Sequence, residues 1–184
     1  MPLTVLLGGA ASGKSRAAVT MAAGAGRPVT LIATAEALDD EMMVRIERHR
    51  AGRPSGWMVV EEPLDLLGAI EELPAGDVAI VDCLTLWVTN MMGAGSGDDE
   101  VIARAQAAVK AACARTAPTL VVTNEVGSGI VPMHPVTRRY RDLLGRVNAM
   151  FAGSADDVLL LVAGRALRLD DPAALLTEPG GGAT

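Results

Sequence analysis

An α/β fold with a parallel-rich central sheet covered by helices on both faces is what this sequence predicts, and three observations predict it. The runs Leu3–Leu7, Val29–Ala33, Val78–Val81, Thr119–Thr123 and Val158–Val162 are apolar at nearly every position rather than every second one, as strands buried on both sides are. Segments with helical signals separate these runs, the alternation that builds parallel sheets. A glycine-rich turn follows the first run and opens a helix, a place where backbone amides are free to meet a ligand.

Each element has its own signals. Leu3–Leu7 ends in Gly8-Gly9, and the Ala-rich stretch Lys14–Ala23 reads as a helix. Val29–Ala33 is a second buried strand. A helix follows over Asp39–Arg50: Asp39, Asp40 and Glu41 complement its N-terminal dipole, and Gly52 and Pro54 close it. Trp57–Val60 reads as a short strand, Leu64–Leu73 as a helix, and Val78–Val81 as a strand delivering Asp82. Leu84–Met92 reads as helical, Gly93–Asp99 as a loop with turn residues, and Glu100–Cys113 as an Ala-rich helix. After the Thr119–Thr123 strand come an irregular loop over Asn124–Pro132, a long helix over Pro135–Phe151 and the strand Val158–Val162. Leu167–Leu169 adds an edge. Pro172–Thr184, with three consecutive glycines, reads as a loose tail. No repeat or internal boundary interrupts the pattern, so residues 1–170 form one domain and 171–184 a flexible extension.

Half of the 184 residues are hydrophobic, enough for a sizeable core. The aromatic residues are Trp57, Trp87, Tyr140 and Phe151, too few for base-stacking platforms. The net charge of −6 argues against a polyanionic partner. Basic residues cluster locally at 45–53 and 138–146, which suits a small anionic ligand. Cys83 and Cys113 lack metal or redox spacing and read as reduced core thiols. No signal peptide or membrane-spanning run is evident, so the expected setting is soluble and cytoplasmic.

The chemistry concentrates in Gly8, Gly9, Ala10, Ala11, Ser12, Gly13, Lys14 and Ser15, which match G-x-x-x-x-G-K-[ST] at every fixed position. The glycines let N–H groups converge on phosphate oxygens, Lys14 reaches the outer phosphates, and the Ser15 hydroxyl is placed to ligate Mg²⁺. This predicts a P-loop NTPase domain, RecA-like, that binds a nucleoside triphosphate. A second carboxylate is required near the metal, and Asp82 ends an apolar strand as that role demands. An N-cap for the helix from Leu84 is the other reading of Asp82.

His49 shares a helix face with Met42 and Ile46, among Arg45, Arg48, Arg50 and Arg53. A neutral imidazole can attack phosphorus, and neighbouring cations favour the neutral form, while the helix C-terminus favours the charged one. On the residues alone, a solvated helix end is the plainer reading. His134 reads as loop structure. Glu125, just past a strand end, reads equally as a group that orients a nucleophile or as a loop stabiliser. Arg138, Arg139, Arg141 and Arg146 read as a solvated face or as contacts to a phosphorylated substrate or a neighbouring subunit.

The stretches LLGGAASGKSR, LIATAEALDDEMMVRIERHRAGRP, VDCLTLWVTN, VVTNEVGSGIVP and RRYRDLLGRVN, in this order, resemble the bifunctional adenosylcobinamide kinase / adenosylcobinamide-phosphate guanylyltransferase family of cobalamin biosynthesis. The second and fourth stretches are the most specific, since other P-loop kinases lack them. The resemblance implies that His49 accepts GMP from GTP and that Lys14 assists. It implies a guanine-nucleotide site including Ala33, Thr34, Ala35, Arg50, Ala51, Gly52, Arg53, Glu61 and Asp82. It further implies Mg²⁺ on Ser15 and Asp82, ATP or GTP as phosphoryl donor, a corrinoid substrate, and a homo-oligomer, trimers being usual. Ala11 stands where family members often carry Arg, Arg48 where some have a second His, and Asp82 where some have Glu.

Overall fold

The structure is a computed structural model that describes residues 3–36, 40–52 and 54–175; the side chains of Glu41, Met42, Arg45, Arg48, His49, Ala51, Ala174 and Leu175 also lie outside the described set. The elements run β1 (Leu3–Leu7), α1 (Lys14–Gly24), β2 (Val29–Ala33), α2 (Asp40–Ala51), β3 (Met58–Glu61), α3 (Leu66–Glu71), β4 (Val78–Asp82), α4 (Leu84–Gly93), α5 (Asp98–Ala114), β5 (Thr119–Val122), α6 (Pro135–Ser154), β6 (Asp157–Val162), β7 (Arg165–Leu169) and α7 (Pro172–Leu175). They build one seven-stranded sheet in the order β3-β2-β4-β5-β1-β6-β7. Every pairing is parallel except the β6–β7 hairpin.

The unalternating strands have a direct physical cause. On β1, Leu3, Val5 and Leu7 face a core shared with α3, α4, α5 and α6, whereas Leu6 faces the opposite core with Ala18 and Ala22 of α1. Successive side chains point to opposite faces, and each face meets a helix, so each position is apolar. The small residues Ala18 and Ala22 let α1 approach the sheet closely, and the phosphate loop at its start is held accordingly.

Boundaries differ from the sequence reading where a cap intervenes. Asp65 accepts the Gly68 N–H at 3.2 Å, so α3 begins at Leu66 rather than Leu64. α5 begins at Asp98 because Gly97 is extended and Asp98, Asp99 and Glu100 fill the positive end of the helix. The edge strand is Arg165–Leu169, longer than the Leu167–Leu169 expected, because a two-residue turn at Ala163-Gly164, both with positive φ, folds it back on β6. Cys113 is exposed, contrary to the expected core thiol; its neighbour Ala112 takes the inward position on α5. The start of the expected tail, Pro172–Leu175, forms a short helical turn, and residues 176–184 lie outside the described set. Among the described residues no helix is long and apolar enough to cross a membrane.

Candidate functional site

The C-terminal ends of the parallel strands carry the candidate residues. In register across β3, β2, β4, β5 and β1, one row reads Glu61, Ala33, Asp82, Val122 and Leu6. Adjacent strands lie about 4.8 Å apart, so the four spacings from β1 to β3 make this row roughly 19 Å long. The phosphate loop sits at the β1 end, and Glu61 at the β3 end.

At the β1 end, Lys14 is 7% exposed and folds its side chain into the loop. Its Nζ donates to Gly8 O at 2.8 Å, Gly9 O at 2.6 Å and Ser12 Oγ at 3.3 Å. The loop is fixed from two further sides. The Glu125 N–H donates to Gly8 O at 3.2 Å, and the Gly164 N–H of the β6–β7 turn donates to Ser12 O at 2.9 Å. Gly13 has φ +100, and a Cβ there would stand 3.2 Å from Gly164 Cα. The left-handed conformation and the close approach of the hairpin both call for glycine.

Ser15 Oγ donates to Asp82 Oδ1 at 3.2 Å. The residue capping α4 is Cys83, in extended conformation and without a side-chain cap bond. Asp82 therefore does not serve as the N-cap, and its carboxylate turns to the loop instead. A hydroxyl and a carboxylate converging here offer hard oxygen donors, the set that suits Mg²⁺, which takes one or two protein oxygens and completes its shell with water and phosphate. Burial first, then the Asp82 charge, pushes the Cys83 thiol above its ordinary pKa, so it stays protonated and is a poor nucleophile at neutral pH.

Behind Asp82 lies a buried polar scaffold. The Thr34 hydroxyl, fully buried, donates to Cys83 O at 2.7 Å and accepts the Cys83 N–H at 2.9 Å. Asn90 Nδ2 donates to Thr34 O at 2.7 Å and to Pro63 O at 3.2 Å. Thr34 thus ties the ends of β2 and β4 together, with its hydroxyl turned to the backbone beside Asp82. At the β3 end, Arg50 and Glu61 form an ion pair between exposed side chains. That contact brings the last turn of α2, with His49 one residue before Arg50, to the same edge of the sheet. Ala35 and Gly52 lie at the flanking turns; Arg53 and the side chains of His49 and Ala51 are outside the described set.

A second scaffold supports the loop after β5. Thr123 Oγ1 donates to Asn148 Oδ1 at 2.7 Å, Asn148 Nδ2 donates to Asn124 O at 2.9 Å, and the Asn124 N–H donates to Thr85 Oγ1 at 2.8 Å. The Glu125 carboxylate accepts the Gly127 N–H, a loop-stabilising contact. Sequence reasoning gave no role to Thr85, Asn90 or Asn148. The available signal was a polar residue within a largely apolar helix, in LTLWVTNMM and RVNAMF. Asn148→Ala leaves the fully buried Thr123 hydroxyl and the Asn124 carbonyl without this partner. The expected result in a urea titration is a loss of about 1–3 kcal/mol.

The profile of the cobinamide kinase / cobinamide phosphate guanyltransferase family matches residues 4–169. The chain belongs to this family. Its members are kinases and nucleotidyltransferases, and the chain is 42% identical to the bifunctional adenosylcobalamin biosynthesis protein CobP of Pseudomonas aeruginosa, over 87% of this chain and 92% of that protein. It is 39% identical to the CobU protein of the same description from Salmonella typhimurium, over 91% of this chain and 99% of that one. Among solved structures, an ATPase from the type III secretion system of pathogenic bacteria superposes with a TM-score of 0.54 at 12% identity, over 87% of this chain and 51% of that one. This likeness shows the fold, the RecA-like P-loop architecture, on which the family builds its site. Ala11 occupies an exposed loop position with φ 55.

Proposed function

We propose that this chain phosphorylates adenosylcobinamide and then transfers GMP from GTP to adenosylcobinamide phosphate through a guanylyl-histidine at His49. The observation that carries the reading is the shared sheet edge. Lys14 stands at the β1 end of the row of strand ends, the Ser15–Asp82 pair at its middle on β4, and the Arg50–Glu61 contact tethers the last turn of α2 at the β3 end.

The chemistry follows from that arrangement. The loop amides and Lys14 hold the triphosphate tail, with its charge directed to the N-terminus of α1. Ser15 and Asp82 would hold Mg²⁺, which when bound draws negative charge from the phosphates. In the kinase step, the substrate hydroxyl oxygen bonds to the γ-phosphorus, the bond to the β-phosphate oxygen breaks, and the hydroxyl proton is released. In the transferase step, a neutral His49 ring nitrogen bonds to the α-phosphorus of GTP and pyrophosphate leaves. A phosphate oxygen of adenosylcobinamide phosphate then bonds to that phosphorus, and the imidazole departs with its electron pair. Lys14 stabilises the leaving pyrophosphate, the group on which charge grows. Splitting the transfer at a covalent intermediate replaces one difficult displacement by two easier ones. We assign Ala33, Thr34, Ala35, Arg50, Ala51, Gly52, Arg53 and Glu61 to the guanosine on the family resemblance. We assign the enzyme to cobalamin biosynthesis and take it, on the family resemblance, as a soluble cytoplasmic homo-oligomer, a trimer, with ATP or GTP as phosphoryl donor.

The test is incubation with α-labelled GTP followed by denaturation. A label on protein that is acid-labile and alkali-stable is expected, and His49→Ala should lose it while retaining phosphorylation of adenosylcobinamide. Persistence of the label in that variant would refute the assignment. Phosphorylation without any protein label in the wild type would leave a kinase alone.

A further inference from the structure

The loop after β5 and the outer face of α6 expose a surface that no step above uses. Ile130 is 98% exposed and Met133 91%, with Val131 and Val136 also well exposed. Large apolar side chains so fully in water and so close together mark a surface that receives something. On the same loop and helix, Gly127, Arg141, Asp142, Gly145, Arg146 and Ala149 line a shallow hollow of about 620 Å³. Its small residues leave room, and its guanidinium groups supply charge. Arg141 pairs with Asp142 at 2.8 Å, while Arg138 donates to the carbonyls of Pro132 and Met133 at 3.0 and 2.6 Å. Counting Arg138, Arg141 and Arg146 against Asp142 and Glu125, the patch keeps a net charge of +1 on a chain of net charge −6.

The surface is also near the phosphate loop. The Glu125 N–H holds Gly8 O at 3.2 Å. Gly127 follows two residues later, and two residues of chain reach at most about 7 Å. The hollow therefore begins within roughly 10 Å of the phosphate loop.

We propose that this surface is the corrinoid-docking site: Ile130, Val131 and Met133 cover an apolar face of the corrin macrocycle, and Arg141 and Arg146 receive the phosphate of adenosylcobinamide phosphate. The proposal rests on the family reaction proposed above and names where its acceptor binds. An apolar loop beside guanidinium groups matches a ligand that is a bulky macrocycle at one end and an anion at the other. The anchoring of the loop by Arg138 and by the Glu125–Gly127 contact limits the ordering cost on binding.

Equilibrium dialysis, followed by corrin absorbance, tests this with adenosylcobinamide and adenosylcobinamide phosphate on the full chain. I130S/M133S should weaken both ligands about tenfold or more, since each side chain loses its apolar burial. R141A/R146A should weaken the phosphorylated ligand about tenfold or more and leave the unphosphorylated one within about twofold, which removes the preference for phosphate. Dissociation constants unchanged in both double variants would overturn the proposal. So would a loss in I130S/M133S that tracks the dissociation of an oligomer in sedimentation, which would make the loop a subunit contact. If I130S/M133S does not fold, R141A/R146A still decides, because loss of the phosphate preference supports the site and its retention overturns it. Binding is read without turnover, so the expected pattern supports the site even in a protein that transfers no GMP.

Discussion

Lys14→Met is expected to lower both phosphoryl and guanylyl transfer by about 10²- to 10³-fold, the scale set by losing one preorganised donor to a charged transition state. Methionine keeps most of the buried stem and removes only the ammonium. The effect then isolates the charge that Lys14 places among Gly8 O, Gly9 O and Ser12 Oγ. The two reactions break different bonds of the triphosphate, yet both increase charge on the part the loop holds, so both should fall. Arginine should not rescue the activity. Its planar fork is larger than an ammonium and does not fit a hollow in which Lys14 is 7% exposed. Single-turnover assays with γ- and α-labelled GTP read the two steps separately. A variant that loses only one of them would show that the triphosphate lies differently in each step.

Gly8→Ala is expected to cost roughly 3 kcal/mol or more of stability, the range of strained or overpacked backbone sites, and to abolish nucleotide binding. Gly8 has φ +151, and a Cβ there would stand 2.3 Å from Leu161 O and 2.8 Å from Ser12 Oγ. The serine can rotate, but the Leu161 carbonyl belongs to β6, paired in parallel with β1. Making room therefore means shifting a strand or moving the first residue of the phosphate loop. Gly9→Ala is the control, because no atom lies within 4 Å of its Cβ position. It should change stability by less than about 1 kcal/mol. Chemical denaturation of the two variants side by side gives the comparison, and equal effects would mean that the contact at Gly8 is relieved at little cost.

Some of the site was legible before any coordinates. Lys14 and Ser15 belong to a motif whose residues act within one turn of chain, so the spacing itself carries the geometry. The position of Asp82 at a strand end was equally readable, from an apolar run closing on a carboxylate. That Ser15 and Asp82 meet at 3.2 Å was not readable, because 67 positions separate them and β5 lies between β4 and β1, the strand that leads into the Ser15 loop. The same holds for the Arg50–Glu61 contact. Each residue alone reads as a surface charge, and only the β2–β3 pairing brings the end of α2 beside Glu61. Asn90 and Asn148 escaped notice because a polar residue in a helix pattern does not reveal which face turns inward.

From its residues alone the chain determined the type and order of its main elements, the phosphate loop and the family, since periodicity, caps and motif spacing act over a few neighbouring positions. Tertiary structure alone decided the strand order, the polar scaffolds behind Asp82 and Asn124, and the exposure of Cys113 and Ile130. Those depend on which distant segments pack together, a choice made by burial of the whole sheet and not by any local stretch of it.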